Sequence, residues 1–291
     1  MRAADWTVDG GTPRRAGWPL AAELEIPRPA LAGDDALVPG GVAWRAEAVR
    51  LRLSLLAPRT LELVPEGVQH VGLSALPEAA VTAGQLTVAV PLSGEEPTEL
   101  LGQAIRVSAA GTSFGAATLR AWLLPGGIRA EAGEVALPEG YAWPLGATMA
   151  AASAEVQVTG TPAPAQPGAT ASQTASRWRD AGGRIDVPNL ALRWGPLTAA
   201  GAGTGGLDAR LQPRAEATLR LDGWQAALDQ LVQGGAVTPG VALAARATLG
   251  LFARASQGGP PGSVTVPVVV QDGLLSVGGI PLLKVPPVAW P

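Results

Sequence analysis

The 291-residue chain contains no cysteine, a single histidine and only one lysine among its 21 basic residues. The absence of cysteine excludes disulfides, thiolate metal ligands and cysteine nucleophiles. With His70 as the only imidazole, a histidine-rich metal site is excluded as well. No apolar run reaches the roughly 18 residues that a membrane-spanning helix needs.

Charge is also scarce in this sequence. Charged residues make up 15% of the chain, whereas about a quarter is usual in soluble proteins. The formal net charge is −3, so there is no basic field that could hold nucleic acid. Nucleic acid is therefore excluded as a partner.

Glycine, proline and apolar residues are what the chain has in abundance, with 38 Gly, 27 Pro and 47% hydrophobic residues. Turn residues between apolar segments are typical of many-stranded β structure. Residues 18–26, 49–55 and 85–92 alternate apolar and polar side chains, which predicts strands with one apolar face. The apolar positions that we expect to line a groove are Leu20, Leu24, Leu51, Leu53, Leu86, Val88 and Val90.

The period changes to that of a helix near the C-terminus. Apolar residues in 224–232 recur at helical spacing, and Asp222 is a candidate N-cap. Thr238 followed by Pro239 predicts a second helix start, with the helix running to about 255. We expect a helical hairpin over 223–255, followed by a β-hairpin around Asp272 and Gly273.

Residues 160–176 form a low-complexity segment of Pro, Ala, Ser and Thr, which indicates a surface loop or linker. The predicted organisation is an N-terminal antiparallel β region over 1–159 and a C-terminal β region with the helical hairpin over 177–291. The two regions are expected to share one continuous sheet. The fold class is mainly β, a long curled antiparallel sheet that forms either a groove or an open sandwich.

Gly201, Gly203 and Gly206 have the G-x-G-x-x-G spacing of a dinucleotide-binding loop. Such a loop requires a helix directly after it, so that the phosphate meets the helix N-terminus. Here Gly206 is followed by two strand-like segments, 207–213 and 216–223. We expect a glycine-rich bend or bulge between strands, and no cofactor.

Candidate catalytic groups are few. His70 lies in an alternating segment and is expected to be structural, and no serine occupies a G-x-S-x-G elbow. The adjacent acids at 34–35 and 95–96 lie beside glycine or proline, where solvated loop carboxylates are common. We expect no enzymatic activity and no metal site.

Nine tryptophans stand against two phenylalanines and one tyrosine. Indoles serve as carbohydrate platforms and at membrane interfaces, but they also close the ends of sheets as large core or rim residues. The structural role is favoured here. A glycan-binding role would require exposed coplanar indoles on one face.

Three segments carry a resemblance to a known family: "SRWRDAGGRIDVPNLALRWGPLTAAGAG", "ATLRLDGWQAALDQLVQGGAV" and "VPVVVQDGLLSVGGIPLLKVPPV". Over 177–288, and more loosely through "GWPLAAELEIPRPAL", the chain resembles proteobacterial envelope proteins of domain-of-unknown-function family 2125. The resemblance implies a periplasmic location and an inner-membrane anchor helix upstream of Met1. It also implies a distant similarity to the AsmA and TamB group, whose one-sided sheets curl into lipid-holding grooves.

The leading hypothesis is a non-enzymatic envelope protein that shelters the acyl chains of membrane lipid in an apolar β-groove. Each CH₂ removed from water contributes about 0.8 kcal/mol, so aliphatic side chains alone suffice for binding. The first alternative is a scaffolding envelope β-sandwich without ligand. The second is a tryptophan-lined glycan-binding module.

Overall fold

A computed structural model describes residues 6–17, 21–35, 38–73, 77–93, 96–160, 170–255, 262–288 and 290. The first twelve strands are β1 (Thr7–Asp9), β2 (Arg14–Ala16), β3 (Ala21–Pro27), β4 (Ala30–Asp35), β5 (Val38–Arg45), β6 (Ala48–Ser54), β7 (Thr60–Glu66), β8 (Gln69–Leu73), β9 (Ala79–Thr82), β10 (Gln85–Pro91), β11 (Thr98–Ala109) and β12 (Thr112–Leu124). Then follow β13 (Gly127–Ala136), β14 (Thr148–Thr159), α1 (Ala171–Asp180), β15 (Arg184–Trp194), β16 (Leu197–Leu207), β17 (Pro213–Asp222), α2 (Trp224–Gln233), α3 (Pro239–Ala255), β18 (Val264–Gln271), β19 (Leu274–Val277) and β20 (Ile280–Lys284).

The expectation of a mainly β, antiparallel fold with a C-terminal helical hairpin is confirmed. The strands predicted in 18–26, 49–55 and 85–92 correspond to β3, β6 and β10. The segment 160–176 is not all loop, because α1 begins at Ala171, while residues 161–169 lie outside the described residues. The division of the chain into regions at this segment therefore stays a prediction.

The chain forms two compact units. Unit 1 contains the described residues of 1–132 and 162–174, and unit 2 contains those of 133–161 and 175–290. Each unit has its own arrangement of strands.

Unit 2 pairs β14 to β20 in chain order, each strand antiparallel to the next. The turn between β18 and β19 consists of Asp272 and Gly273, both with positive φ (50° and 69°). This is the type I′ geometry that an Asp-Gly pair favours in a two-residue hairpin. The predicted hairpin is confirmed.

Helices α2 and α3 cover the apolar face of the unit 2 sheet. Trp224 and Leu228 of α2 and Leu249 of α3 are buried against Val264 and Val266 of β18, both of which are fully buried. The N-cap of α2 is Gly223 with a φ of 69°, so the prediction that Asp222 caps this helix is wrong. Asp222 is instead the last residue of β17, where it pairs with Thr198.

The first ten strands of unit 1 form five long antiparallel segments, each interrupted near its middle. Strands β2, β3, β6, β7 and β10 pair on one side of the interruption and are called the first wing. Strands β1, β4, β5, β8 and β9 pair on the other side and are called the second wing. Strand β11 pairs with β10 through its first half and with β9 through its second half, and β12 runs along its other edge.

The interruptions form one line across the sheet, which we call the crease. Backbone hydrogen bonds cross it from strand to strand: Arg28 N donates to Glu47 O at 2.7 Å, and Gly84 N donates to Gln103 O at 2.9 Å. Arg28, Gly67 and Ala104 adopt left-handed backbone there, with φ of 49°, 72° and 49°. A residue of this conformation in a strand turns the following side chains and bends the sheet.

The direction of the bend follows from burial along the crease. The residues that face one side of the sheet are buried, and those that face the other side are exposed. The buried residues are Pro29, Ala46, Val49, Gln69, Leu86 and Ile105; the exposed ones are Arg28, Glu47, Gly67, Gly84, Gln103 and Ala104. The sheet of unit 1 therefore bends toward its mostly apolar side, which becomes concave.

Candidate functional site

The concave side of the first wing carries rows of aliphatic side chains, which we call the inner face. Register places Leu24 beside Leu51 and Leu51 beside Leu63. The same row continues from Leu63 through Val88 of β10 to Leu100 of β11. A second row joins Ala22, Leu53, Leu61 and Val90. Side chains two residues apart on a strand share a face, so these rows form one continuous aliphatic surface.

The structure brings six of the seven groove residues predicted from sequence together on the inner face. They are Leu24, Leu51, Leu53, Leu86, Val88 and Val90. Leu20 lies outside the described residues. Leu61 and Leu63 also lie on this face and were not predicted to line it, although their alternation with Glu62 places both leucines on one side of the strand. Alternation could not assign Leu100 to a face, because Leu101 follows it directly and two adjacent leucines point to opposite sides of a strand.

The left-handed Ala104 keeps the aliphatic surface continuous along β11. An added Cβ at Gly102 would collide with Cδ1 of Ile105 and lie 3.5 Å from Cδ1 of Leu86. Ile105 therefore stands on the same side of the sheet as Gly102, although an unbroken strand would place it on the opposite side. Without this change of direction the apolar surface would end at the crease.

The inner face is only partly covered. Its leucines and valines away from the crease, including Leu51, Leu63, Val88 and Leu100, are half-buried. Within the described part of unit 1, no helix packs broadly against these strands. In unit 2 the corresponding sheet face is covered by α2 and α3, and Val264 and Val266 are completely buried. The inner face is thus a concave aliphatic surface against which no described helix of unit 1 packs broadly, and we call it the apolar groove.

The dimensions of the apolar groove follow from strand geometry. From Leu86 to Leu92 along β10 the backbone advances about 20 Å, and the five strand spacings from β3 to β12 give a width of about 24 Å. One leaflet of a bilayer has a hydrocarbon thickness of about 15 Å. The groove is long enough for one extended acyl chain.

The opposite side of the first wing and of the adjoining strands β11 and β12 is largely polar and is called the outer face. Arg52 Nε lies 3.4 Å from Glu23 Oε1, and Arg52 Nη1 lies 3.7 Å from Glu62 Oε2. Arg120 Nε donates to Glu99 Oε1 at 2.5 Å. These side chains come from neighbouring strands and remain accessible to solvent, so each pair contributes little stability. Their effect is to make the outer face water-soluble and to leave the inner face as the apolar surface.

The single histidine belongs to a charged cluster on the convex side of the second wing. Glu78 Oε1 accepts from Arg45 Nη2 at 2.6 Å and lies 2.9 Å from His70 Nδ1. The Arg45 hydrogen bond and charge, helped by His70, hold the pKa of Glu78 below its usual range. The cluster borders a depression of about 210 Å³ whose floor is formed by small residues, Ala30, Ala32, Ala43 and Gly72. His70 is part of a solvent-accessible hydrogen-bonded cluster with Arg45 and Glu78.

Five tryptophans donate their indole N–H to backbone carbonyl oxygens. Trp143 and Trp194 donate through Nε1 to the carbonyl oxygens of Pro138 and Gly146, at 2.8 and 2.7 Å. Trp178, Trp224 and Trp290 donate in the same way to Thr159, Gly262 and Leu211. Trp143 and Trp194 pack at an interplanar angle of 61°, so these neighbouring indoles are not coplanar. Their geometry differs from that of a sugar-stacking platform.

The three glycines of the dinucleotide-like motif lie within strand β16, so the expectation of a bend at this position is wrong. A bulge does occur opposite them, in β15 between Val187 and Leu190. An added Cβ at Gly201 would collide with the carbonyl oxygen of Thr218 on β17. These glycines permit close approach of neighbouring backbones. A strand follows them, whereas a phosphate-binding loop leads into a helix.

The residues that the structure describes offer neither a metal-ligand cluster nor a membrane-spanning helix. These residues contain no group of three or more His, Asp or Glu side chains placed to hold a metal ion. Of the three described helices, none is both long and apolar enough to cross a membrane.

Fold and groove together define an antiparallel β-sheet protein with a helix-covered sheet face in unit 2 and, in the described part of unit 1, an aliphatic face against which no helix packs broadly. The sequence pattern of the family described as "Uncharacterized protein conserved in bacteria (DUF2125)" matches residues 1–286, and the chain belongs to this family. Comparison with curated proteins found no match, and neither did comparison with solved structures.

Proposed function

We propose that this protein is a non-enzymatic component of the bacterial cell envelope that shelters lipid acyl chains in the apolar groove of unit 1. The observation that carries the proposal is the half-buried state of the aliphatic rows on a concave sheet face. A folded chain ordinarily covers such a face, as α2 and α3 do in unit 2. An acyl chain would supply the missing apolar layer.

The energetics favour a transient shelter. Removing a chain of roughly sixteen carbons from water contributes on the order of 13 kcal/mol. Transfer of the same chain from a bilayer into the groove exchanges one apolar environment for another, so its free-energy gain is much smaller than that of transfer from water. The groove would therefore lower the barrier that water presents to a lipid in passage, and it would release the lipid again to a membrane.

A periplasmic location and a distant similarity to the AsmA and TamB group form part of the proposal. A β-groove that holds acyl chains needs no nucleotide, metal or catalytic residue, which agrees with the low charge of the chain. Cell fractionation with marker proteins for the cytoplasm, the periplasm and both membranes tests the location. Recovery with the cytoplasmic marker would contradict it.

The test of lipid binding is native mass spectrometry of the protein purified from bacterial membranes and periplasm, followed by solvent extraction of bound molecules. The inner-face variant replaces Leu51, Leu53 and Val88 by Glu. A matched outer-face variant replaces Val64, Ala89 and Leu101 by Glu, on the same wing and strand β11.

We expect stoichiometric phospholipid on the wild type and on the outer-face variant, and none on the inner-face variant. Circular dichroism and the urea midpoint establish that all three chains are folded. A lipid-free mass for folded wild-type protein would contradict the proposal and would favour the scaffolding β-sandwich without ligand.

A further inference from the structure

Four leucines at one end of the unit 1 sheet, on the side of the first wing, are exposed, and we call them the leucine rim. Leu55 and Leu56 follow β6, Leu92 follows β10, and Leu123 is near the end of β12. Their exposed fractions are 69%, 98%, 58% and 56% respectively. Scattered single leucines are normal on protein surfaces, but several at one end of a sheet indicate an interaction surface.

The turn that presents two of these leucines is held by hydrogen bonds. Leu56 N donates to Ser54 Oγ at 3.2 Å, and Ala57 N donates to Ser54 O at 3.2 Å. Leu92 N donates to Arg59 O at 2.8 Å, which ties the end of β10 to the same turn. The turn backbone is therefore fixed by the fold, and the exposure of Leu55 and Leu56 is built into it.

The leucine rim continues the apolar groove. Leu55 follows Leu51 and Leu53 in the alternation of β6, and Leu92 follows Val88 and Val90 in that of β10. Leu123 lies two residues beyond Ala121, which pairs with Leu100 of the inner face. The rim therefore stands where the aliphatic rows leave the sheet, at an open end of the groove.

The chemistry of the rim favours a lipid bilayer over a protein partner. The leucines project from separate turns and strand ends in line with the aliphatic rows of the inner face, so a bilayer that receives them also meets the groove. Charges of opposite sign, Arg59 and Glu96, lie in the described rim segments, and the whole chain carries a net charge of −3. Attachment would therefore depend on burial of apolar side chains in the interface, with little contribution from anionic lipid.

We propose that the leucine rim inserts into the hydrocarbon boundary of a phospholipid bilayer and opens the apolar groove directly to the membrane. This inference rests on the proposed function, because it assigns the rim as the place where an acyl chain enters or leaves. A chain that moves from the bilayer past Leu56 and Leu92 to the inner face would remain in apolar surroundings throughout.

The test is co-sedimentation of the full chain with vesicles of phosphatidylcholine. The rim variant carries Leu55→Ser and Leu56→Ser. The control variant carries Leu243→Ser and Leu251→Ser, which replace two leucines of α3 that are 68% and 65% exposed. We expect the rim variant to lose about tenfold in partition coefficient per leucine, and the control to bind as the wild type does.

Fatty-acid binding without vesicles is measured on the same three proteins with a fluorescent fatty acid. We expect the rim variant to keep this binding, because its inner face is intact. Equal loss of vesicle binding in both variants would overturn the inference, as would binding that requires anionic lipid or disappears in high salt. If the wild type binds the fatty acid but no vesicles, the role of the rim is overturned and the proposed groove stands. If it binds vesicles but no fatty acid, the proposed groove is overturned.

Discussion

Replacement of Leu100 by Glu tests the two faces of the sheet with a single side chain, because its neighbour Leu101 is the control. Leu100 is half-buried on the inner face, where it pairs with Val88 and Ala121. Leu101 is exposed on the outer face and pairs with Arg120. The same substitution, one residue apart, therefore places a carboxylate either in the apolar groove or in solvent.

The expected effect on binding follows from the methylenes that a carboxylate would displace. A side chain of this size contacts three or four CH₂ groups of an acyl chain, and each contributes about 0.8 kcal/mol when removed from water. The loss is then about 3 kcal/mol, or roughly a hundredfold in the dissociation constant. For Leu101→Glu we expect a change of less than about twofold, since its side chain faces away from the groove.

The assay is a fluorescence titration with a fatty-acid analogue, accompanied by urea unfolding of each variant. Leu100→Glu should lower the free energy of unfolding by about 1 kcal/mol, because a partly buried leucine is lost. This decrease is too small to unfold a typical domain. Equal affinities for the two variants would refute the assignment of the faces. A loss of affinity that merely follows a loss of folded protein would refute the role of Leu100 in binding.

Two further predictions concern the crease and the charged cluster. Gly67 has a φ of 72°, and an added Cβ would collide with the carboxylate of Glu47; Gly67→Ala should therefore lower the free energy of unfolding in urea by about 1–2 kcal/mol. Ala104→Gly relieves the strain of a left-handed backbone and should raise the free energy of unfolding by up to about 1 kcal/mol. A stabilising Gly67→Ala or a destabilising Ala104→Gly would contradict the described crease. The lowered pKa of Glu78 means that its ion pair with Arg45 stabilises the fold above the usual carboxyl range, and that this contribution disappears as the pH falls through the lowered pKa. The stability difference between wild type and Glu78→Gln should shrink on acidification, and a difference that is constant with pH would contradict the assignment.

Alternation made much of the inner face predictable from the sequence. In β3, β6 and β10 each apolar residue is separated by one polar or small residue, so periodicity alone assigned Leu24, Leu51 and Val88 to one face. The Asp272-Gly273 turn and the Thr238-Pro239 helix start were predictable for a similar reason. Each uses residue types with a strong local preference.

The crease was not predictable, because two of the residues that form it have no preference for its geometry. Arg28 and Ala104 adopt left-handed backbone that Gly or Asn would ordinarily occupy. Tertiary pairing across neighbouring strands imposes that conformation. For the same reason the apolar side of β11 changes from Leu100 to Ile105 without any local signal in the sequence.

The sequence pattern also does not show which apolar sheet faces are covered by helices. The aliphatic rows of β17 and β18 resemble those of β6 and β10 in the sequence. Helices cover the rows of β17 and β18, whereas those of β6 and β10 are half-buried. Alternation shows which side chains share a face, and only the three-dimensional arrangement shows what lies over it. The prediction at Asp222 was wrong because Gly223 can adopt a left-handed φ and begin the helix one residue later.

The most direct test of the proposed function locates the acyl chain relative to the two faces of the sheet. Since the chain has no cysteine, Val88→Cys on the inner face and Ala89→Cys on the outer face can each carry one fluorophore on a short linker. A fatty acid with a nitroxide at mid-chain is then added, and quenching is recorded. We expect strong, saturable quenching at position 88 and little at position 89. Equal quenching at both positions, or none at either, would contradict the proposed groove.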